Sequence, residues 1–261
     1  MPVTGLLCVL LTAVLLASAT AVSGRAQGPS SAPLVVFAAA DLGPPFAQIV
    51  PQFERKTRTD VTLVLGSTGM LAQQIRNGAP ADVFFAANES FIKDLTAENL
   101  TVRQTATLYA RGRIATVTLR SGGIRINDLE DLTDPRIRRI AIANPQHAPY
   151  GLAAKQTLEA GGLWKTLEPK LVFGENVQQA VQFVRSGSAE AGIVARSVAD
   201  TPDLHWKLVD DTRHAPLSQM AVVVARTKQP DASMAFVEFV NGDQGRIVMR
   251  QFGFLLPGES F

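Results

Sequence analysis

Cysteine is almost missing from this chain of 261 residues, and the single one, Cys8, lies inside an apolar run near the start. If that start is removed on export, the exported protein has no cysteine. Disulfides, cysteine-ligated zinc and a cysteine nucleophile are then excluded, and the composition suits an oxidising compartment such as a periplasm. Histidine is nearly as scarce: His147, His205 and His214 show no metal-ligand spacing. An excess of one charge is lacking too. The net charge of +2 is too small to argue for nucleic acid or an anionic membrane surface. The short basic run at 136–139 reads as a solvated face. There is no G-x-S-x-G elbow and no G-x-x-x-x-G-K-[ST] loop, and Gly66-Ser67-Thr68-Gly69 is not G-x-G-x-x-G. An enzyme reading therefore lacks the groups it would need.

A membrane-spanning run is absent as well. Residues 6–16 are continuously apolar, but 11 residues are too few for an ordinary transmembrane helix. Small residues follow at 17–21, so residues 1–27 read as a secretory signal peptide with cleavage between Ala19 and Gln27. No Lys or Arg precedes the apolar run. Cys8 lacks the small-residue context of a lipoprotein cleavage site.

The whole chain has 46% hydrophobic and 18% charged residues, which are globular values, and is long enough for one large or two small domains. Short apolar runs at 34–39, 60–65 and 82–86 alternate with helical spacing at 46–55 and 70–76. This is the α/β pattern of an open, mostly parallel sheet. A second unit of the same kind follows: strands at 114–119, 139–143, 170–173 and 191–195, with helices at 127–132, 152–160 and 176–186. A strand at 220–225 and helices at 231–239 and 244–251 close the chain. Two such units, with the chain returning to the first, imply two lobes with a ligand cleft between them. The expected lobes are 33–112 with 215–261, and 113–214.

In open α/β sheets, ligands bind beyond the carboxyl ends of strands. Four strand-to-helix turns offer candidates there. Asp41 follows the first strand, before Pro44 and Pro45, and also reads as an ordinary helix cap. Ser67 and Thr68 follow the second strand at the start of a helix, where free N–H groups and the positive dipole end favour an anion; both are equally preferred cap residues. Tyr150 sits in the turn Asn144-Pro-Gln-His-Ala-Pro-Tyr-Gly151 before a helix. There its backbone N–H can reach the cleft, or its ring can pack on the surface of a rigid turn. His147 in this stretch reads as a turn residue. Val177 follows Asn176, which looks like a cap, so the Val177 N–H is a first-turn donor. Four helix starts, two from each lobe, can converge on one small anion without a cationic side chain.

Five blocks, VVFAAADL, GSTGMLAQQIRNGAPADVFFAA, NPQHAPYG, GENVQQAVQFV and AEAGIVA, occur in an order that resembles the periplasmic molybdate-binding proteins of ABC importers. The resemblance covers most of the chain after residue 33. It implies the two-lobed periplasmic-binding-protein fold of type II and a protein that is not an enzyme. It further implies no cofactor, capture of molybdate with tungstate accepted as a near-isostere, and delivery to an ABC permease in the inner membrane by a periplasmic monomer. By motif position it assigns oxyanion binding to Asp41, Thr68, Tyr150 and Val177, with Ser67 as a neighbour and no direct coordination of the metal atom. Two departures stand out. Ala195 occupies a position where the family's other common pattern has Tyr. Asp41 occupies one where the family usually has Ser, Thr or Asn. An ionised Asp cannot donate a hydrogen bond, and next to a dianion its pKa would rise. Three outcomes are open: Asp41 turns away and leaves only its N–H in the site, which is the favoured one; it binds protonated; or the ligand is another small anion or organic acid. A sensory protein reporting to a membrane receptor is the alternative of a different class.

Overall fold

The computed structural model describes residue 1 and residues 32–259. Apart from Met1, the expected signal peptide lies outside the described residues. Among the described residues, ten strands are distributed over two sheets. The first sheet holds β1 (Leu34–Ala39), β2 (Val61–Gly66), β3 (Val83–Ala86), β4 (Thr107–Gly112) and β10 (Leu217–Val223), in the order β2-β1-β3-β10-β4. The second holds β5 (Ile114–Leu119), β6 (Ile140–Ala143), β7 (Leu171–Gly174), β8 (Ala191–Ala195) and β9 (Leu204–Leu208), in the order β7-β6-β8-β5-β9. The helices are α1 (Gly43–Thr57), α2 (Thr68–Arg76), α3 (Glu89–Ala97), α4 (Pro149–Ala160), α5 (Trp164–Leu167), α6 (Val177–Arg185), α7 (Arg196–Ala199), α8 (Pro230–Asn241) and α9 (Asp243–Gln251).

Three strands of each sheet are parallel: β2, β1 and β3 in one, β7, β6 and β8 in the other. The inner strands β1, β3, β6 and β8 are near-continuously apolar because both of their faces are buried, whereas the edge strands β2 and β7 are partly exposed. The expectation of mostly parallel sheets stops there. A strand that crosses from one sheet to the other arrives in the reverse direction, so β10 is antiparallel to β3 and β5 is antiparallel to β8. β4 and β9 then pair antiparallel with these crossing strands. Neither β4 nor β9 stands out in the sequence as a separate element. β4 and β5 are separated only by Arg113, so they read as one run. The expected helix at 127–132 is a single 3₁₀ turn, Leu129–Thr133, closed by a capping box between Asp128 and Asp131.

The cores differ in character. Around the first sheet, Phe46, Phe53, Phe85 and Phe236 stack edge to face, with centroids 5.0–5.6 Å apart. The second sheet is packed mainly by Ile, Val, Leu and Ala. That second core also takes in Ala39, Ala40 and Ala87 from the strand ends of the first sheet. The small side chains there let the two halves approach closely.

Candidate functional site

The site begins where β1 ends. Pro44 and Pro45 fix φ at the start of α1 and withhold two N–H donors, and the chain passes through a 3₁₀ turn, Ala40–Leu42, before that helix. Asp41 lies in this turn and is fully buried. Its side chain makes no cap bond, contrary to the ordinary reading of an Asp before a helix. Instead Asp41 Oδ2 accepts from Gln219 Nε2 at 2.8 Å and from the Tyr150 hydroxyl at 2.9 Å. Gln219 Nε2 also donates to Tyr150 Oη at 2.9 Å, closing a triangle. Asp41 Oδ1 is buried and has no hydrogen-bond partner among the described residues. Burial pushes the Asp41 carboxyl up to about 6, against the opposing pull of Gln219, Tyr150 and its own backbone N–H. The turn is also gripped from the other sheet's helices. The Ser197 hydroxyl donates to Asp41 O at 2.8 Å, and Gln178 Nε2 donates to Ala40 O at 2.9 Å.

The β2–α2 turn supports both readings of its hydroxyls. Ser67 is the N-cap, accepting from Met70 N at 3.4 Å, and its Oγ also lies 2.7 Å from His147 Nδ1. Thr68 Oγ1 accepts the Ala87 N–H at 3.0 Å. A hydroxyl that accepts one bond keeps its own proton for another acceptor. Gly69 N–H donates to His147 O at 2.9 Å, and a Cβ at Gly69 would come within 2.7 Å of that oxygen. Glycine is required by this close approach.

The second sheet supplies the other half. Tyr150 is the second residue of α4, after Pro149. Its ring does not pack on the surface; the residue is 3% exposed and its hydroxyl points to Asp41. Burial, with the Asp41 carboxylate adding to it, raises the Tyr150 pKa well above its ordinary value, so the phenol stays a donor. Val177 is the first residue of α6. Asn176 caps that helix, its side chain accepting from Gln178 N and Gln179 N. First-turn N–H groups have no partner inside the helix, and the cap leaves that of Val177 available.

Asp41, Ser67, Thr68, Tyr150 and Val177 all line one cavity of ≈ 200 Å³ between the ends of β1 and β2 and the starts of α4 and α6. Ala39, Ala40, Ala87 and Ala148 complete much of its wall, so it offers N–H groups and hydroxyls on an apolar surface. A hollow of ≈ 530 Å³ lined by Thr116, Asn127 and Lys207 contains none of the five. Among the described residues, no group of three or more His, Cys, Asp or Glu is placed to hold a metal ion. Ala195 is fully buried at the end of β8 and brings no polar side chain.

Sequence reasoning missed Gln219, Ser197 and Tyr109, whose hydroxyl donates to Gln219 Oε1 at 2.7 Å, and saw His147 only as a turn residue. Gln219 did carry a signal, as the lone amide in the apolar run around β10. His147 and Ser197 had none, because their roles depend on the approach of the two halves.

Comparison with known proteins places these features in a family. The family model for bacterial extracellular solute-binding proteins matches residues 34–255. A molybdate-binding protein of Azotobacter vinelandii is 34% identical over 229 residues, which are 86% of this chain and 90% of that protein. A molybdate-binding protein of Rhodobacter capsulatus is 31% identical over 236 residues, covering 90% and 92%. The solved structure of the Azotobacter vinelandii periplasmic molybdate-binding protein superposes with a TM-score of 0.81 at 30% identity, covering 86% of this chain and 99% of that one. The two-lobed fold is shared, and these relatives bind solutes rather than transform them. The chain belongs to the bacterial extracellular solute-binding protein family, beside its molybdate-binding members.

Proposed function

We propose that this protein captures molybdate, with tungstate as a near-isostere, in the cavity lined by Asp41, Ser67, Thr68, Tyr150 and Val177, and delivers it to an ABC permease. The observation that carries this reading is the convergence of three helix starts and the Asp41 turn on one small, cation-free cavity. Helix N-termini stabilise anions through oriented N–H groups and the helix dipole. In a closed, dry site each N–H···O bond is electrostatically stronger than in water. The Thr68 hydroxyl and the Val177 and Tyr150 N–H groups are the donors in this reading. The binding unit comprises lobes 33–112 with 215–261 and 113–214. It acts as a periplasmic monomer after a signal peptide, 1–27, directs its export.

Asp41 is the distinctive element. Its Oδ2 is turned onto Tyr150 and Gln219, in keeping with a side chain drawn away from the ligand. The carboxyl is nonetheless buried at the cavity wall. An incoming dianion disfavours its charged form further, so the ligand enters with a proton taken up at Asp41. Protonation on Oδ1 leaves Oδ2 free to keep both of its hydrogen bonds.

Calorimetric titration of the mature protein with molybdate, tungstate and sulfate tests this. Tight binding of molybdate and tungstate, with sulfate excluded by cavity size, is expected. Folded protein that binds none of them would refute the ligand assignment.

A further inference from the structure

Gln219 is fully buried in β10, a strand that is otherwise apolar except for Ser218. Burying an amide is costly unless its donors and acceptor are satisfied. Here all are used: Oε1 accepts from the Tyr109 hydroxyl at 2.7 Å, and Nε2 donates to Asp41 Oδ2 and Tyr150 Oη. The pairing of β10 with β4 shifts register at Gln219/Met220. Gln219 lies two residues into the strand that returns the chain to the first sheet. On the facing strand, β4 ends at Gly112, opposite Leu217 and at the other crossing, and a Cβ there would overlap the Tyr150 hydroxyl. The triangle of Asp41, Gln219 and Tyr150 therefore sits against both crossings between the sheets.

We infer that Gln219 is a positioning residue for cleft closure: from the crossing strand it holds the Asp41 carboxyl and the Tyr150 hydroxyl together, so that the two halves of the cavity meet in one register. The inference rests on the reading of that cavity as the ligand site. Opening the cleft would carry α4 away and strip Tyr150 from both partners, so the triangle is complete only when the lobes are closed. Tyr109 sets the amide's direction. A flipped amide would turn Oε1 toward Asp41 Oδ2, acceptor against acceptor, and would leave the Tyr109 proton only its longer bond to Ala86 O, 3.4 Å away. The titratable groups facing Asp41 are Tyr150 from α4 and Tyr109 from β4. The helices α6 and α7 present Gln178 and Ser197, which do not titrate. Arg113, between β4 and β5, donates both Nε and Nη2 to Gly253 O and does not contact Asp41.

The test compares wild type, Gln219→Leu and Tyr109→Phe in full-length mature protein, with folding checked by thermal melting. Molybdate titrations run at pH 5.5 and 7.5, and ligand-free small-angle scattering reports cleft opening. For Gln219→Leu we expect a loss of affinity of at least tenfold at pH 5.5 and a clearly smaller loss at pH 7.5. The bridge between the halves is lost at either pH, but without the amide donor the ligand-free Asp41 takes up its proton more readily, which offsets part of the loss at pH 7.5. Its ligand-free radius of gyration should exceed that of wild type. Tyr109→Phe, which leaves the cavity and the Asp41 contacts in place, should show both changes with the same sign and smaller size. It carries the test if Gln219→Leu fails to fold. An equal loss at both pH values would mean that Gln219 only packs the strand, and would overturn the inference, as would no loss at all. If wild type itself does not bind molybdate, the ligand reading fails and scattering alone decides. A more open Gln219→Leu would then support the positioning role, and an unchanged radius would overturn it.

Discussion

The turn after β1 and the turn after β6 hold the same place in two sheets of the same strand order, yet they bring opposite chemistry to the cavity. The first ends in Asp41, a buried acid that can only accept while ionised. The second ends in Tyr150, a buried phenol held neutral, and the two are joined by one hydrogen bond. The turns after β2 and β7 show a milder contrast. Ser67 and Thr68 bring hydroxyls already engaged with His147 and Ala87, whereas Asn176 spends its side chain on capping and leaves the backbone of Val177 to act. Duplicated architecture thus places four equivalent turns around one point, while the side chains divide the work. The first half carries the proton-dependent group. The second carries donors that do not titrate near neutral pH.

The largest effect should come from removing the asymmetry at Asp41. Its pKa is raised from 3.8 to about 6. The stabilising contribution of this group is therefore fully present below about pH 4 and is lost as pH rises through about 6. The rise from 3.8 to about 6 corresponds to about 3 kcal/mol. Asp41→Asn removes that penalty, because its carbonyl can keep both Oδ2 hydrogen bonds while its NH₂ replaces the unpartnered Oδ1. The ligand-free variant should melt higher than wild type at pH 7.5, by up to about 3 kcal/mol in unfolding free energy, and the difference should vanish near pH 4. Thermal melts across pH 4–8 would measure this; a lower melting temperature at pH 7.5 would contradict it.

Breaking the bridge from the other side sharpens the comparison. Tyr150→Phe leaves Asp41 with Gln219 alone, and losing a hydrogen bond to a carboxyl that is neutral in the ligand-bound state costs about 0.5–1.5 kcal/mol. Affinity for molybdate at pH 7.5 should fall roughly two- to tenfold, and titration calorimetry would show it. Unchanged affinity would mean that the bridge is not part of closure.

Much of this arrangement is legible in the sequence. The four turns can be read because each couples an apolar strand to a helix start through local chemistry: Gly66 and Gly69 around Ser67-Thr68, Pro149 before Tyr150, Asn176 before Val177. The partner of each group cannot be read in the same way. Asp41 looks like a cap locally and becomes a bridge only because Gln219, 178 residues away in sequence, is brought beside it by β10. β4 and β9 are hidden for a similar reason: β4 runs almost unbroken into β5, and β9 runs from buried Leu204 to exposed Lys207 and Leu208 without the alternation that marks a strand.

Two further predictions separate binding from capping. Thr68→Val would strand the buried Ala87 N–H and remove a ligand donor, costing about 1–3 kcal/mol in stability and weakening molybdate binding; denaturation and titration together would measure both. Asn176→Ala should cost about 1 kcal/mol of stability as a lost cap and leave the pH dependence of binding as it is in wild type. A changed pH dependence would place Asn176 in the proton-linked half of the site.

At the centre stands the coupling of molybdate binding in this cavity to a proton on Asp41. Molybdate titration of wild type and Asp41→Asn at pH 5.5 and 7.5 tests it directly. Wild type is expected to bind more tightly at pH 5.5 than at 7.5, and Asp41→Asn to bind with similar, higher affinity at both. Equal pH dependence in the two proteins would contradict the coupling.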